Sequence, residues 1–156
     1  MKTKFIEFYM KIAEETALLS SATRLKVGCI AVKDDKIISF GYNGTPSGWD
    51  NNCEYILDGQ LKTKNEVIHS EINAISKLAR SNESSLNCIF FMTHSPCIEC
   101  AKAIYQSGIG KIIYKEDFRS MDGVNFLRKC NIPIIKYNES IKRGKNGNKR
   151  RKSNKK

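Results

Sequence analysis

The chain has 156 residues, 40% of them hydrophobic, enough for one domain with a single core that needs no stapling. Its formal net charge of +11 would suggest a nucleic-acid binder, but residues 138–156 hold 9 of the 27 basic and 1 of the 16 acidic residues, so residues 1–137 carry 18 basic against 15 acidic, a net +3. No apolar run approaches the roughly 18 residues of a membrane span, and "MKTKFIEFYMKIAEE" interleaves charges with its apolar residues, so no membrane partner and a reducing cytoplasm are expected, where six cysteines do not read as a disulfide framework.

In chain order, Phe5, Phe8, Tyr9, Ile12, Ala13, Thr16, Ala17 and Leu19 recur at helical spacing behind Thr3 and Glu7, which predicts a first helix. "VGCIAVKDDKIISFGYNG" reads as a hairpin turning at Asp34-Asp35. From "GTPSGWDNN" to about Val67, turn formers and weak periodicity predict a long loop. Then helix and strand alternate: His69 to about Leu78 as helix, "NCIFFMT" as strand, Cys97 to Gln106 as helix closed by Gly108, "KIIYK" as strand, Val124 to Cys130 as helix and "IPIIKY" as strand. Strands separated by such helices pair in parallel through right-handed crossovers. The expected architecture is α/β: a mixed sheet in which an antiparallel hairpin joins parallel strands, with helices on both faces. After Ile141 the chain has no apolar residue and is rich in Lys, Arg, Asn and Gly. Residues 138–156 are read as a disordered, solvated basic tail, the alternative being an arm that touches nucleic acid or another polyanion.

The chemistry gathers where two predicted helices begin. His69 precedes Glu71 by two residues in "HSEINAI", and "SPCIEC" opens the next helix, with Pro96 suited to the first helical position. Cys97 and Cys100 are three apart and share a helix face at an N-terminus, where the partial positive charge favours thiolate. Alone, this Cys-x-x-Cys could be a redox dithiol or two packed cysteines. The redox reading expects the motif at the chain's first strand-to-helix turn and does not expect an upstream His-x-Glu. Together, His69, Cys97 and Cys100 supply three ligands to Zn²⁺ and leave a fourth position for water. Glu71 is then placed to move that water's proton, and His-x-Glu with Pro-Cys-x-x-Cys is the signature of nucleobase zinc deaminases.

Four segments extend the match: "SSATRLKVGCIAV", "GYNGTPSGWDNNCE", "VIHSEINAI" and "THSPCIECAKAIYQSGIGKIIY". With them the chain closely resembles the deoxycytidylate (dCMP) deaminases over roughly residues 5 to 137. The resemblance implies the three-layer α/β/α cytidine-deaminase-like fold around a mixed five-stranded sheet, with residues 1–137 as the catalytic domain. It implies hydrolysis of dCMP to dUMP and ammonia, supplying dUMP for dTMP: hydroxide attacks C4 of cytosine while Glu71 shuttles protons, and one catalytic zinc sits on His69, Cys97 and Cys100. Within the "GYNGTP" corner, Asn43 is the candidate for the sugar hydroxyl and Thr45 lies beside it; the backbone at Ser70 and the "HSP" segment, His94 with Ser95 and Pro96, are candidates for the pyrimidine edge.

For the phosphate, Arg24, Lys26, Tyr114 and Arg119 are candidates, although Arg24 could equally make a surface pair, Tyr114 could be a core residue and Arg119 could be merely solvated. Cys29, Cys88 and Cys130 are read as small core residues, and a second, structural zinc at Cys53 is not expected, since residues 54–68 offer no His or Cys. The family implies a homo-oligomer, often a hexamer, with dCTP and dTTP as regulators. Two other classes stay open: a deaminase of bases in tRNA or single-stranded DNA, with the basic tail as its main support, and a zinc-binding protein without catalysis, which would not require Glu71.

Overall fold

A computed structural model describes residues 1–141. The expected tail from residue 142 onward lies outside the described residues, while 137–141 form a helical turn in which Ser140 is buried and Ile141 packs against the core. Helix α1 (Thr3–Leu18) leads into strands β1 (Gly28–Lys33) and β2 (Lys36–Tyr42), then β3 (Glu54–Leu57), β4 (Gln60–Thr63), α2 (Ser70–Leu78), β5 (Ile89–His94), α3 (Ile98–Gln106), β6 (Lys111–Glu116), α4 (Asp122–Lys129) and β7 (Ile134–Lys136). The main sheet has five strands in the order β2-β1-β5-β6-β7. β1 runs antiparallel to both β2 and β5, and β5, β6 and β7 are parallel, which is the mixed sheet expected.

Alternation along each strand sorts the side chains into two cores. Ile30, Val32, Phe91 and Ile113 point to α1, whereas Cys29, Ala31, Phe90, Met92, Ile112 and Tyr114 point to α2, α3 and α4. Among the described residues the result is three layers, with α1 and the 137–141 turn on one face and α2, α3 and α4 on the other. Helix α1 buries Ile6, Tyr9, Met10, Ala13, Thr16 and Ala17. The buried stripe is thus turned slightly from the expected one, leaving Phe8, Leu18 and Leu19 more than half exposed. Among the described residues, no helix is long and apolar enough to cross a membrane.

The predicted long loop is corrected by the structure. β3 and β4 form a separate antiparallel hairpin in which Glu54 pairs with Thr63 and Leu57 with Gln60. It turns at Asp58 and Gly59, whose φ values of 51° and 71° are those of a type I′ turn. The signal was in the sequence: Asp-Gly directly after the short apolar run Tyr55-Ile56-Leu57.

Candidate active site

Strand direction explains why the chemistry collects at one edge of the sheet. β5 and β6 are parallel, so the segments after His94 and Glu116 leave from the same edge, and antiparallel pairing brings the start of β1 and the end of β2 there too, with Gly28 opposite Tyr42. That edge opens into a cleft of about 400 Å³, lined among others by Arg24, Asn43, Glu54, His69, Ser70, Glu71, His94, Ser95, Cys97 and Arg119. Its volume lies within the range of small-molecule sites.

Two helix N-termini converge on the cleft. His69 is the N-cap of α2, and the chain reaches it through paired bonds between Gly44 and Ile68, 2.8 and 3.1 Å long. α2 lies close on β2 because Gly41 has no Cβ; one there would stand 2.1 Å from the Ser70 carbonyl oxygen. Cys97 is the N-cap of α3 and accepts from the Cys100 amide at 3.5 Å. Pro96 therefore precedes the cap and is not the first helical residue; the cap geometry uses the cysteine sulfur instead. Gly123, in the first turn of α4, packs on this segment: a Cβ would sit 2.1 Å from the Pro96 carbonyl oxygen and 2.7 Å from that of Cys97. Gly123→Ala is expected to displace the Cys97 turn and weaken zinc binding by about tenfold, read by competition with a colorimetric chelator; an unchanged affinity would mean that the turn yields freely.

His69 Nδ1 lies 3.6 Å from Cys97 Sγ and 3.3 Å from Cys100 Sγ, and one donor atom from each residue falls within 4.8 Å of the others. His69 is exposed, Cys97 half-buried and Cys100 buried. One imidazole nitrogen and two thiols at this spacing fit zinc, with a cleft beside them for a further ligand. Cys97 is pushed down to about 3 by the hydrogen bond from the Cys100 thiol and then by His69, while Cys100 is pushed well up by the same bond and by burial. His69 is raised, first by its hydrogen bond with Cys97.

Beside this trio, Glu71 is only 4% exposed. The Ser70 hydroxyl donates to Glu71 Oε2 at 2.8 Å. Burial raises the Glu71 carboxyl above its usual range, with hydrogen bonds from its own amide and from Ser70 opposing that shift.

The other sequence candidates divide. Arg24, Asn43, Ser70, Ser95 and Arg119 line the cleft. Asn43 also braces the segment before β1: its Oδ1 accepts from the Val27 amide and its Nδ2 donates to the Leu25 carbonyl oxygen, both at 2.8 Å, which leaves one lone pair and one hydrogen for a ligand. Ser95 Oγ accepts from the Phe118 amide at 2.8 Å, holding the loop that carries Arg119. Tyr114 is 2% exposed in the helix-side core and its phenol is pushed up to about 12 by burial, so it does not face the cleft. Thr45 donates to the Asp50 carbonyl oxygen within its own loop. Thr45, Pro96 and the exposed Lys26 are not among the cleft's lining residues. Cys53 is fully buried with Ala22 and Val67, its sulfur 3.4 Å from Ser21 Oγ. His94, which opens the His-Ser-Pro segment expected at the pyrimidine edge, also lines the cleft, whereas sequence reasoning missed Leu25, Val27, Glu54, Thr63, Val67 and Phe118.

Comparison with known proteins agrees with this geometry. The family model described as "Cytidine and deoxycytidylate deaminase zinc-binding region" matches residues 3–116. A dCMP deaminase from cyanophage S-TIM5, solved in complex with dCMP and dUMP, superposes with a TM-score of 0.82 at 42% identity, covering 87% of this chain and 98% of that one. ComE operon protein 2 of Bacillus subtilis is 35% identical over 73% of this chain and 60% of its own length, so the chain spans less than two thirds of that relative. The deoxycytidylate deaminase of phage T4 is 33% identical over 70% of this chain and 76% of its own length.

Proposed function

The chain belongs to the cytidine and deoxycytidylate deaminase family, and from that premise we propose that it hydrolyses dCMP to dUMP and ammonia, supplying dUMP for dTMP synthesis. The observation that carries the proposal is the buried Glu71 carboxylate beside the His69, Cys97 and Cys100 donors, in a cleft that also holds arginines. Zinc held by His69, Cys97 and Cys100 supplies a Lewis acid that brings the pKa of a water down toward about 7. Glu71 takes a proton from the attacking water as its oxygen bonds to C4, and passes that proton to N3. It then carries the remaining hydroxyl proton to the exocyclic amine, so the C4–N bond breaks as C4=O forms and ammonia leaves. Burial brings the carboxyl's pKa closer to the working pH, which suits a group that must both hold and release a proton. Asn43 and the Ser70 and Ser95 segments, which line the cleft, are assigned to the sugar and pyrimidine, and Arg24 and Arg119, which line it too, to the phosphate.

A homo-oligomer is part of the same reading. Tyr55, Ile56 and Leu57 are consecutive on β3 and all exposed, Ile56 by 75%, and Phe8 and Leu18 of α1 with Leu19 at its C-cap are exposed too; these side chains are the apolar surface available to a second copy. Regulation by dCTP and dTTP and a reducing cytoplasmic setting belong to the proposal as well. The test is ammonia release by the zinc-loaded chain with dCMP, CMP, dCTP, deoxycytidine and single-stranded DNA or RNA, with dCTP and dTTP added in turn, and light scattering on the same preparation. Turnover is expected with dCMP, in a particle of several chains. Deamination of nucleic acid but not dCMP would overturn the reading.

A further inference from the structure

We propose that Glu54 is a positioning residue for the anionic end of the substrate: it fixes the backbone of Arg24, while Thr63, its partner across the β3–β4 hairpin, fixes the guanidinium. This rests on the reading above, that the substrate is a nucleoside monophosphate. Glu54 opens β3 and is only 6% exposed. Its Oε1 accepts from two consecutive backbone amides, Thr23 at 3.0 Å and Arg24 at 3.2 Å. None of the ion pairs among the described residues includes it. A buried carboxylate without a cationic partner is unfavourable unless hydrogen bonds hold it, and here those bonds end on the segment that carries Arg24.

The register supplies the second half of the grip. Glu54 and Thr63 face each other in the hairpin, and Arg24 Nη1 donates to Thr63 Oγ1 at 2.8 Å. One cross-strand pair therefore holds Arg24 by its backbone and by its head. Arg24, Glu54 and Thr63 line the same cleft as His69 and Glu71. A guanidinium carries five N–H donors in a planar fork, and the single bond to Thr63 leaves several for a phosphate monoester. Flexibility lost before binding is not lost again on binding, so a pre-set Arg24 improves affinity for the phosphorylated substrate without touching the reacting atoms.

The experiment is a double-mutant cycle in steady-state kinetics on dCMP, using the full zinc-loaded chain with Glu54→Ala, Glu54→Gln, Thr63→Val and Arg24→Ala, singly and in pairs. Glu54→Ala should raise KM by about tenfold and leave kcat within about threefold. Glu54→Gln, which keeps an oxygen acceptor for both amides, should restore most of the loss. On the Arg24→Ala background, Glu54→Ala should add less than about twofold, because the group it positions is gone. Losses that multiply, or a fall in kcat at constant KM, would overturn the proposal. Zinc content and melting temperature are measured on every variant; should Glu54→Ala fail to fold, the Thr63→Val and Arg24→Ala cycle and the Glu54→Gln KM decide the question. A wild-type chain that leaves dCMP untouched overturns both this proposal and the function it rests on. A wild-type chain that turns dCMP over, with KM indifferent to Glu54 and Thr63, overturns this one alone.

Discussion

Replacing Glu71 by glutamine is expected to lower kcat/KM for dCMP by about 10³–10⁴-fold with zinc content unchanged. Glutamine keeps the size of the side chain and an oxygen that can accept the Ser70 hydroxyl, which now donates to Glu71 Oε2 at 2.8 Å. What it loses is the ability to take up and return a proton. Zinc should stay because the donors that converge belong to His69, Cys97 and Cys100, and Glu71 is not one of them. Stability should not fall either, since the substitution removes a charge from a site only 4% exposed. Activity, metal content and melting temperature thus separate a proton carrier from a structural carboxylate. Retention of more than about a tenth of the wild-type rate would defeat the assignment, as would a loss of zinc parallel to the loss of rate. Ser70→Ala gives a graded companion: it removes the bond that orients Oε2 and leaves the carboxylate in place, so its loss should be the smaller.

The sequence made the centre of this site legible because its chemistry is local. His69 and Glu71 lie two residues apart, Cys97 and Cys100 three, and each pair sits at the start of a helix; a reader needs only the ligand chemistry of imidazole and thiolate to join them. The walls of the cleft were harder, because they depend on which strands meet. Glu54 and Thr63 matter through their pairing across a hairpin, and that hairpin was hidden by a stretch without clear alternation, although Asp58-Gly59 marked its turn. Tyr114 shows the opposite case. It sits two residues from Ile112, on the same face as Phe90 and Met92, so period-two alternation already pointed it at the helix-side core and away from the phosphate. Asn43 was readable as a site residue but not as a brace, since its partners Leu25 and Val27 come into reach only when β1 and β2 pair.

Zinc uptake by the metal-free chain is expected to release protons and therefore to strengthen with rising pH. With Cys97 pushed down to about 3 and Cys100 pushed well up, the pair holds a single proton near neutrality, on Cys100. Zinc requires both sulfurs as thiolates and the imidazole neutral, so binding expels the Cys100 proton. His69 contributes too: its pKa is raised, chiefly by its hydrogen bond with Cys97, and it becomes increasingly protonated as the pH falls through that raised value. The bound form carries fewer protons than the free form throughout, so the sign is fixed: apparent affinity should climb about tenfold per pH unit where one proton leaves, and more steeply at lower pH, where His69 adds a second. Calorimetry in two buffers of different ionisation enthalpy counts the protons directly, with at least one per zinc expected from the Cys100 thiol and a further contribution from His69 at pH values where the free chain holds it protonated. Cys100→Ser should remove the proton contributed by the thiol along with most of the affinity, because a hydroxyl at that position does not become an anion at these pH values. An affinity flat across the range, or a Cys100→Ser variant that binds zinc as the parent does, would break the link between these two thiols and the metal.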